Sequence, residues 1–213
     1  MIYNVLTKQM IITPPKTGTT VLHHLLCKMP NFWYILGPAR WDTTTKHAPA
    51  KVIQTHEIKV EEWILMVRNP IDRLISMWKH RKSYDGYYDG LEDFINHHNL
   101  GLGWYAPCTS YIDRIDGVIR QENLYEDCMS VLTKDDPRMG EELMDDLKAV
   151  LERLKDYRMN DSQFEHIPTE DEAVLLQHAA ETFYSEDLRV GGYEIRTDQA
   201  EPEENSYTGT SSR

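Results

Sequence analysis

The sequence predicts an α/β fold, with a central, mostly parallel sheet flanked by helices and a helical C-terminal part. Three observations predict it. The apolar runs Met10-Ile11-Ile12 and Trp63-Ile64-Leu65-Met66-Val67 lack polar alternation, the pattern of strands covered on both faces. Each run leads through proline into a stretch whose apolar residues recur at helical spacing. Beyond about residue 140 the strand patterns stop and two amphipathic helical periods follow.

Taken in order, Met10–Thr13 reads as a short buried strand. Thr19 to Lys28, with Val21, Leu22, Leu25 and Leu26 on one face, reads as the helix after it. Asn31–Leu36 reads as a second strand. Trp63–Val67 is the strongest strand, and Pro70 suits the first turn of a helix marked by Ile71, Leu74, Ile75 and Trp78. Gly117–Arg120 reads as a third strand, followed by a helix through Leu132. Leu143, Leu147, Val150, Leu151 and Leu154 trace one long amphipathic helix, and Ala173–Leu188 traces another. Residues 1–195 are expected to form a single domain, and the acidic, polar residues 196–213 a disordered tail.

The chain of 213 residues is long enough for one substantial core. Cys27, Cys108 and Cys128 are odd in number and widely spaced, so they read as small buried residues of a reducing compartment, not a disulfide framework or zinc site. With no run of eighteen apolar residues and no secretory signal, the chain is expected to be cytoplasmic, without a membrane partner. A net charge of −12 argues against nucleic acid as a partner. That average hides an asymmetry. Residues 1–82 carry 12 Lys and Arg against 5 Asp and Glu, whereas residues 83–213 carry 11 against 30. A basic N-terminal part in an acidic chain points to a local anion site.

The site is expected at "ITPPKTGTT", residues 12–20. A strand that ends in a glycine-containing turn and continues as a helix gathers backbone N–H groups and the positive helix end around one point. Lys16 adds a full charge, Thr19 and Thr20 add hydroxyls, and Gly18 permits close approach. The ATP-binding loop GxxxxGK[ST] is a poor fit, because Lys16 precedes Gly18 and no glycine lies upstream. A second stretch, "VRNPIDRLISMW" at 67–78, places Arg68 at a strand's end and Ser76 eight residues on, in the next helix. An arginine and a hydroxyl so placed can converge on a second phosphate, with the forked guanidinium supplying charge-assisted bonds. Two anion sites on one sheet edge imply a ligand with two separated anionic groups.

"PPKTGTT" followed by "VRNPIDRLIS" resembles the two cofactor motifs of sulfotransferases that use 3'-phosphoadenosine 5'-phosphosulfate (PAPS), in particular the carbohydrate-type enzymes and their small soluble relatives. "IRQENL" (119–124) and "YSEDLRVGGY" (184–193) resemble two further stretches of that family. The resemblance implies a P-loop-like three-layer fold. It also implies that Pro15, Lys16, Thr17, Gly18, Thr19 and Thr20 hold the 5'-phosphosulfate, that Arg68 and Ser76 hold the 3'-phosphate, and that adenosine 3',5'-bisphosphate (PAP) is the product. Anchored members of the group carry a membrane segment and larger acceptor-binding parts, which this chain is expected to do without. Sulfuryl transfer is an in-line displacement catalysed by positioning and electrostatics, for which Lys16 is suited.

The acceptor hydroxyl, of a glycan or a small molecule, also needs a base. Relatives of this type often carry a histidine about twenty residues before the 3'-phosphate motif. His47, in "TKHAPA", stands 21 positions before Arg68 and is the first candidate, ahead of His56 and Glu57. Of the other histidines, His80 is expected to end a helix, while His97 and His98 fall in a loop-like stretch. Glu122 reads as a buried partner of an arginine such as Arg73. Trp104, Tyr105, Tyr84, Tyr87 and Tyr88 read equally as an acceptor platform or as core. A nucleotide kinase and a non-catalytic PAPS- or PAP-binding module are the rival functions.

Overall fold

Alternation along three short strands decides how the sheet is covered. Ile11, Ile64, Met66 and Ile119 belong to one buried cluster, whereas Met10, Ile12, Leu65 and Val67 belong to another. Neighbouring strand residues point to opposite faces, so both faces of this sheet are apolar and both are covered. The computed structural model describes residues 1–34, 47, 49–53, 58–85, 90–97, 99–134, 136–155 and 166–194.

The strands are β1 (Ile2–Asn4), β2 (Gln9–Ile12), β3 (Phe32–Tyr34), β4 (Glu62–Val67) and β5 (Gly117–Arg120), in the order β3-β1-β2-β4-β5. β2, β4 and β5 are parallel neighbours, with Ile12 opposite Leu65 and Val67 opposite Arg120. β1 runs antiparallel to both β2 and β3, so four strands share one direction and one opposes it. The mostly parallel sheet agrees with the sequence reading. β1 does not appear in that reading, because its hairpin turn contains no glycine. Asn4 makes the turn instead, its side-chain oxygen accepting from the N–H groups of Leu6 (3.1 Å) and Thr7 (3.4 Å), while Lys8 takes a positive φ of 61°.

The helices are α1 (Thr19–Leu26), α2 (Ala50–Ile53), α3 (Pro70–Asp85), α4 (Leu91–His97), α5 (Leu124–Leu132), α6 (Glu141–Glu152) and α7 (Glu170–Gly191). One sheet face packs on α1, α5 and α6 through Leu22, Leu25, Leu26, Val131, Leu147 and Leu151. The other packs on the irregular segment holding Cys108, Tyr111 and Ile112. A third cluster joins α3, α4 and α7 through Leu74, Met77, Trp78, Phe94, Leu176 and Tyr184. The capping box of Thr169 and Glu172 starts α7, and Gly192 at φ 65° ends it. α7 bends at Tyr184, where φ and ψ leave the helical region and the phenol donates to the Tyr105 carbonyl (2.6 Å).

Four expectations are corrected. Cys27 is exposed, whereas Cys108 and Cys128 are buried. His80 does not end a helix, since α3 runs on to Asp85; its ring stacks on Trp104 at 5.4 Å. His97 lies in α4, not in a loop, and pairs with Asp93 one turn earlier. Glu122 is exposed and is not the partner of Arg73, a role taken by Asp187. His56, Glu57, Tyr87, Tyr88, His98 and the tail from 196 lie outside the described residues, as does the end of the expected strand 31–36. No described helix is long and apolar enough to cross a membrane.

Candidate active site

Because β2, β4 and β5 are parallel, the segments after their last residues meet at one edge of the sheet. They are the loop from Thr13 to Gly18, the junction Arg68-Asn69, and the turn Gln121–Asn123. Ligands of open parallel sheets bind at this edge.

The loop is held in an unusual backbone state. Lys16 has φ 65°, a left-handed conformation that costs a non-glycine residue about 1 kcal/mol, and Gly18 follows at φ 81°. Two arginines bind the carbonyls on either side of the strained residue. Arg73 Nε donates to the Pro15 carbonyl (3.0 Å), and Arg68 Nη1 donates to the Lys16 carbonyl (3.4 Å). Inside the loop the hydroxyls of Thr17 and Thr19 both donate to the Pro14 carbonyl (2.8 and 3.2 Å). These two hydroxyls therefore shape the loop in this structure. Gly18 also caps α1 without offering any side chain, the arrangement in which an anion can take the capping place. A Cβ at Gly18 would come within 2.9 Å of Gln121 Cγ, so the turn after β5 backs the loop directly.

Arg68 carries an unused donor. Its Nε is buried and has no hydrogen-bond partner among the described residues. Burial pushes the guanidinium pKa down, and the carboxylates of Asp72 and Glu122 act against that shift. The half-buried guanidinium stays charged, and its unused Nε donor suits an acceptor such as an anion.

Arg73, 1% exposed, is held on several sides, although its Nη1 makes no hydrogen bond among the described residues. Besides Pro15 it donates to the Ala106 carbonyl (2.9 Å), lies 3.7 Å from Asp187 and sits over the Tyr184 ring. Asp187 is itself buried and accepts from the amides of Cys108 (2.6 Å) and Thr109 (2.8 Å) and from the Thr109 hydroxyl (2.8 Å). Sequence reasoning named neither as part of the site. The available signal was the "DL" of "YSEDLRVGGY", whose acidic residue has to be matched to a distant cation.

Of the predicted site residues, the structure brings Arg68 against the carbonyl of Lys16, next to Pro15 in the chain. Thr17, Gly18, Thr19 and Thr20 continue the same loop into α1, and Ser76 lies half-buried on α3. His47 joins them from another segment, its Nδ1 2.6 Å from the carbonyl of Thr13. A carbonyl only accepts, so Nδ1 carries the proton and the ring's basic lone pair lies on Nε2 in the neutral form. The aromatic residues divide. Tyr105 is core, bonded to Arg81 through its hydroxyl (2.6 Å), whereas Trp104 is half-buried between His80 and Arg81.

The profile described as "Sulfotransferase family" matches residues 10–155, more than half of the chain and all of this sheet edge up to α6. This chain belongs to the sulfotransferase family. No curated protein and no solved structure shows significant similarity to it. Within the family match lie the Lys16 loop, His47, Arg68, Ser76 and the turn at Glu122. α7, which brings Asp187 to Arg73, lies beyond it.

Proposed function

We propose that the chain is a PAPS-dependent sulfotransferase of P-loop-like fold that acts on a hydroxyl of a glycan or a small molecule. The observation that carries this reading is Arg68, a half-buried guanidinium whose buried Nε is an unused donor, held against the carbonyl of a strained Lys16 loop. Family membership supplies the reaction class, and the two adjacent cationic groups suit a donor with two anionic ends.

Pro15 to Thr20 would hold the 5'-phosphosulfate, and Arg68 with Ser76 the 3'-phosphate. When bound, PAPS supplies an activated sulfuryl group joined to a phosphate leaving group. Lys16 neutralises the charge that grows on the leaving oxygen, and the first N–H groups of α1 serve the same end. The Thr13 carbonyl holds His47 in the tautomer with its lone pair on Nε2, fit to take the proton of the acceptor hydroxyl. That hydrogen bond supports His47 as the base, with His56 and Glu57 as the alternatives. Three unpaired cysteines suit a reducing compartment such as the cytoplasm.

The test is transfer of labelled sulfuryl from PAPS across a panel of unsulfated glycans and phenols. Label in an acceptor, with matching release of PAP, supports the reading. ATP turnover with no transfer from PAPS favours the kinase instead.

A further inference from the structure

We propose that Glu122 and Tyr193 form a clip that sets Arg68 in place for the donor's 3'-phosphate. They act as positioning residues, and the inference rests on the donor reading above. The carboxylate of Glu122 bridges two segments far apart in sequence. One oxygen accepts from the backbone N–H of Asn69 (2.8 Å), and the other accepts from the phenol of Tyr193 (2.7 Å).

Asn69 is the residue at which β4 becomes α3. Its side-chain oxygen accepts from the Ile71 amide (3.0 Å) and its carbonyl from the Arg73 amide (2.9 Å), so it starts the helix. Its own N–H belongs to the peptide group that follows Arg68. Fixing that group fixes the direction in which the Arg68 side chain leaves the backbone. The carboxylate also lies close enough to favour the charged guanidinium against burial.

The second half of the clip is built by the end of α7. Gly192, at φ 65°, turns the chain back, and the Tyr193 amide returns to the Leu188 carbonyl (3.0 Å). The Tyr193 ring then occupies the place where a Gly191 side chain would be, 2.1 Å from an added Cβ. Only glycine at 191 allows this approach. Burial first, then Glu122, raises the phenol pKa, so the O–H remains a donor at neutral pH. One residue before Glu122, Gln121 backs Gly18. The turn 121–122 thus touches both parts of the donor site, and Tyr193 braces it from a segment outside the family match.

The test uses the full chain and three variants, Glu122→Ala, Glu122→Gln and Tyr193→Phe. Calorimetry measures binding of adenosine 3',5'-bisphosphate and of 5'-AMP, which lacks the 3'-phosphate. Glu122→Ala should weaken bisphosphate binding about tenfold, or about 1.4 kcal/mol, and 5'-AMP binding less than about twofold. Glu122→Gln, which keeps an acceptor for the Asn69 amide, should recover part of the loss. Tyr193→Phe removes a single oxygen and should cost the bisphosphate about threefold, which keeps the test valid if Glu122→Ala folds poorly. Unchanged bisphosphate affinity in the variants, or equal losses for both nucleotides, overturns the clip while leaving the donor reading intact. Failure of the unaltered protein to bind the bisphosphate overturns the donor reading, and the clip with it.

Discussion

Asp187→Ala tests how the C-terminal helix supports the phosphate loop. The carboxylate is fully buried, accepts three hydrogen bonds from Cys108 and Thr109, and is the anion facing Arg73 at 3.7 Å. Its removal leaves two amides without an acceptor and the Arg73 cation without an anion. Breaking a buried pair by deleting one partner costs about 3–5 kcal/mol. At about 2–4 °C per kcal/mol for a chain of this size, Tm should fall by roughly 6–20 °C. Asp187→Asn keeps an acceptor oxygen and should lose less. Replacing both partners, as Arg73→Met with Asp187→Leu, removes the uncompensated charge and should be more stable than the sum of the single losses predicts. It should still bind donor poorly, because the Pro15 carbonyl loses its donor from Arg73 Nε. Thermal and urea unfolding read the stability. A loss below about 1 kcal/mol in Asp187→Ala, or strict additivity in the double variant, would refute the reasoning.

Further outcomes are expected at the site and in the core. Arg68→Ala should raise the donor KM, since its contact is the same in ground and transition states, whereas Lys16→Ala should mainly lower kcat; steady-state kinetics separate the two. His47→Ala should keep bisphosphate affinity and cut kcat by about a hundredfold, the usual size of a lost base, and near-normal turnover would move the role elsewhere. Tyr184 supplies a pH test. Burial raises its phenol pKa from 10.0 to about 12, so the folded state holds this proton more tightly than the unfolded chain. That stability is fully present below pH 10 and is lost as pH rises to about 12, roughly 2–3 kcal/mol in all. Ultraviolet titration should show a late tyrosine ionising as the protein unfolds; ionisation of every tyrosine near pH 10 in folded protein would contradict it.

Continuous apolar runs made β2 and β4 legible, and the residues that follow them, Lys16, Gly18 and Arg68, were legible as an anion site. The helices α3, α6 and α7 were legible from their periodicity. β1 was not, because a three-residue strand with an asparagine turn carries neither length nor glycine. α4 was obscured by the polar "INHHN" that forms its last turn and exit. The supports of the site were illegible for a different reason. The sequence reading pairs Arg73 with Glu122, whereas its anion in the fold is Asp187. Only the bend at Tyr184 and the packing of α7 on α3 bring Asp187 to the guanidinium. Likewise Glu122 accepts from the Asn69 amide and the Tyr193 phenol, and a bond to a backbone amide leaves no trace in residue types.

On the proposed donor, this sheet edge should bind a nucleotide with phosphates at both the 3' and 5' positions. Calorimetry of the unaltered protein with adenosine 3',5'-bisphosphate, against ATP with magnesium, tests it most directly. The bisphosphate should bind tightly, and at a hundredfold excess over Kd it should stabilise the fold by about 2.7 kcal/mol. ATP with magnesium should bind far more weakly, since its charge is gathered at one end and leaves Arg68 without a partner. Equal affinity for the two, or preference for ATP with magnesium, would contradict the account.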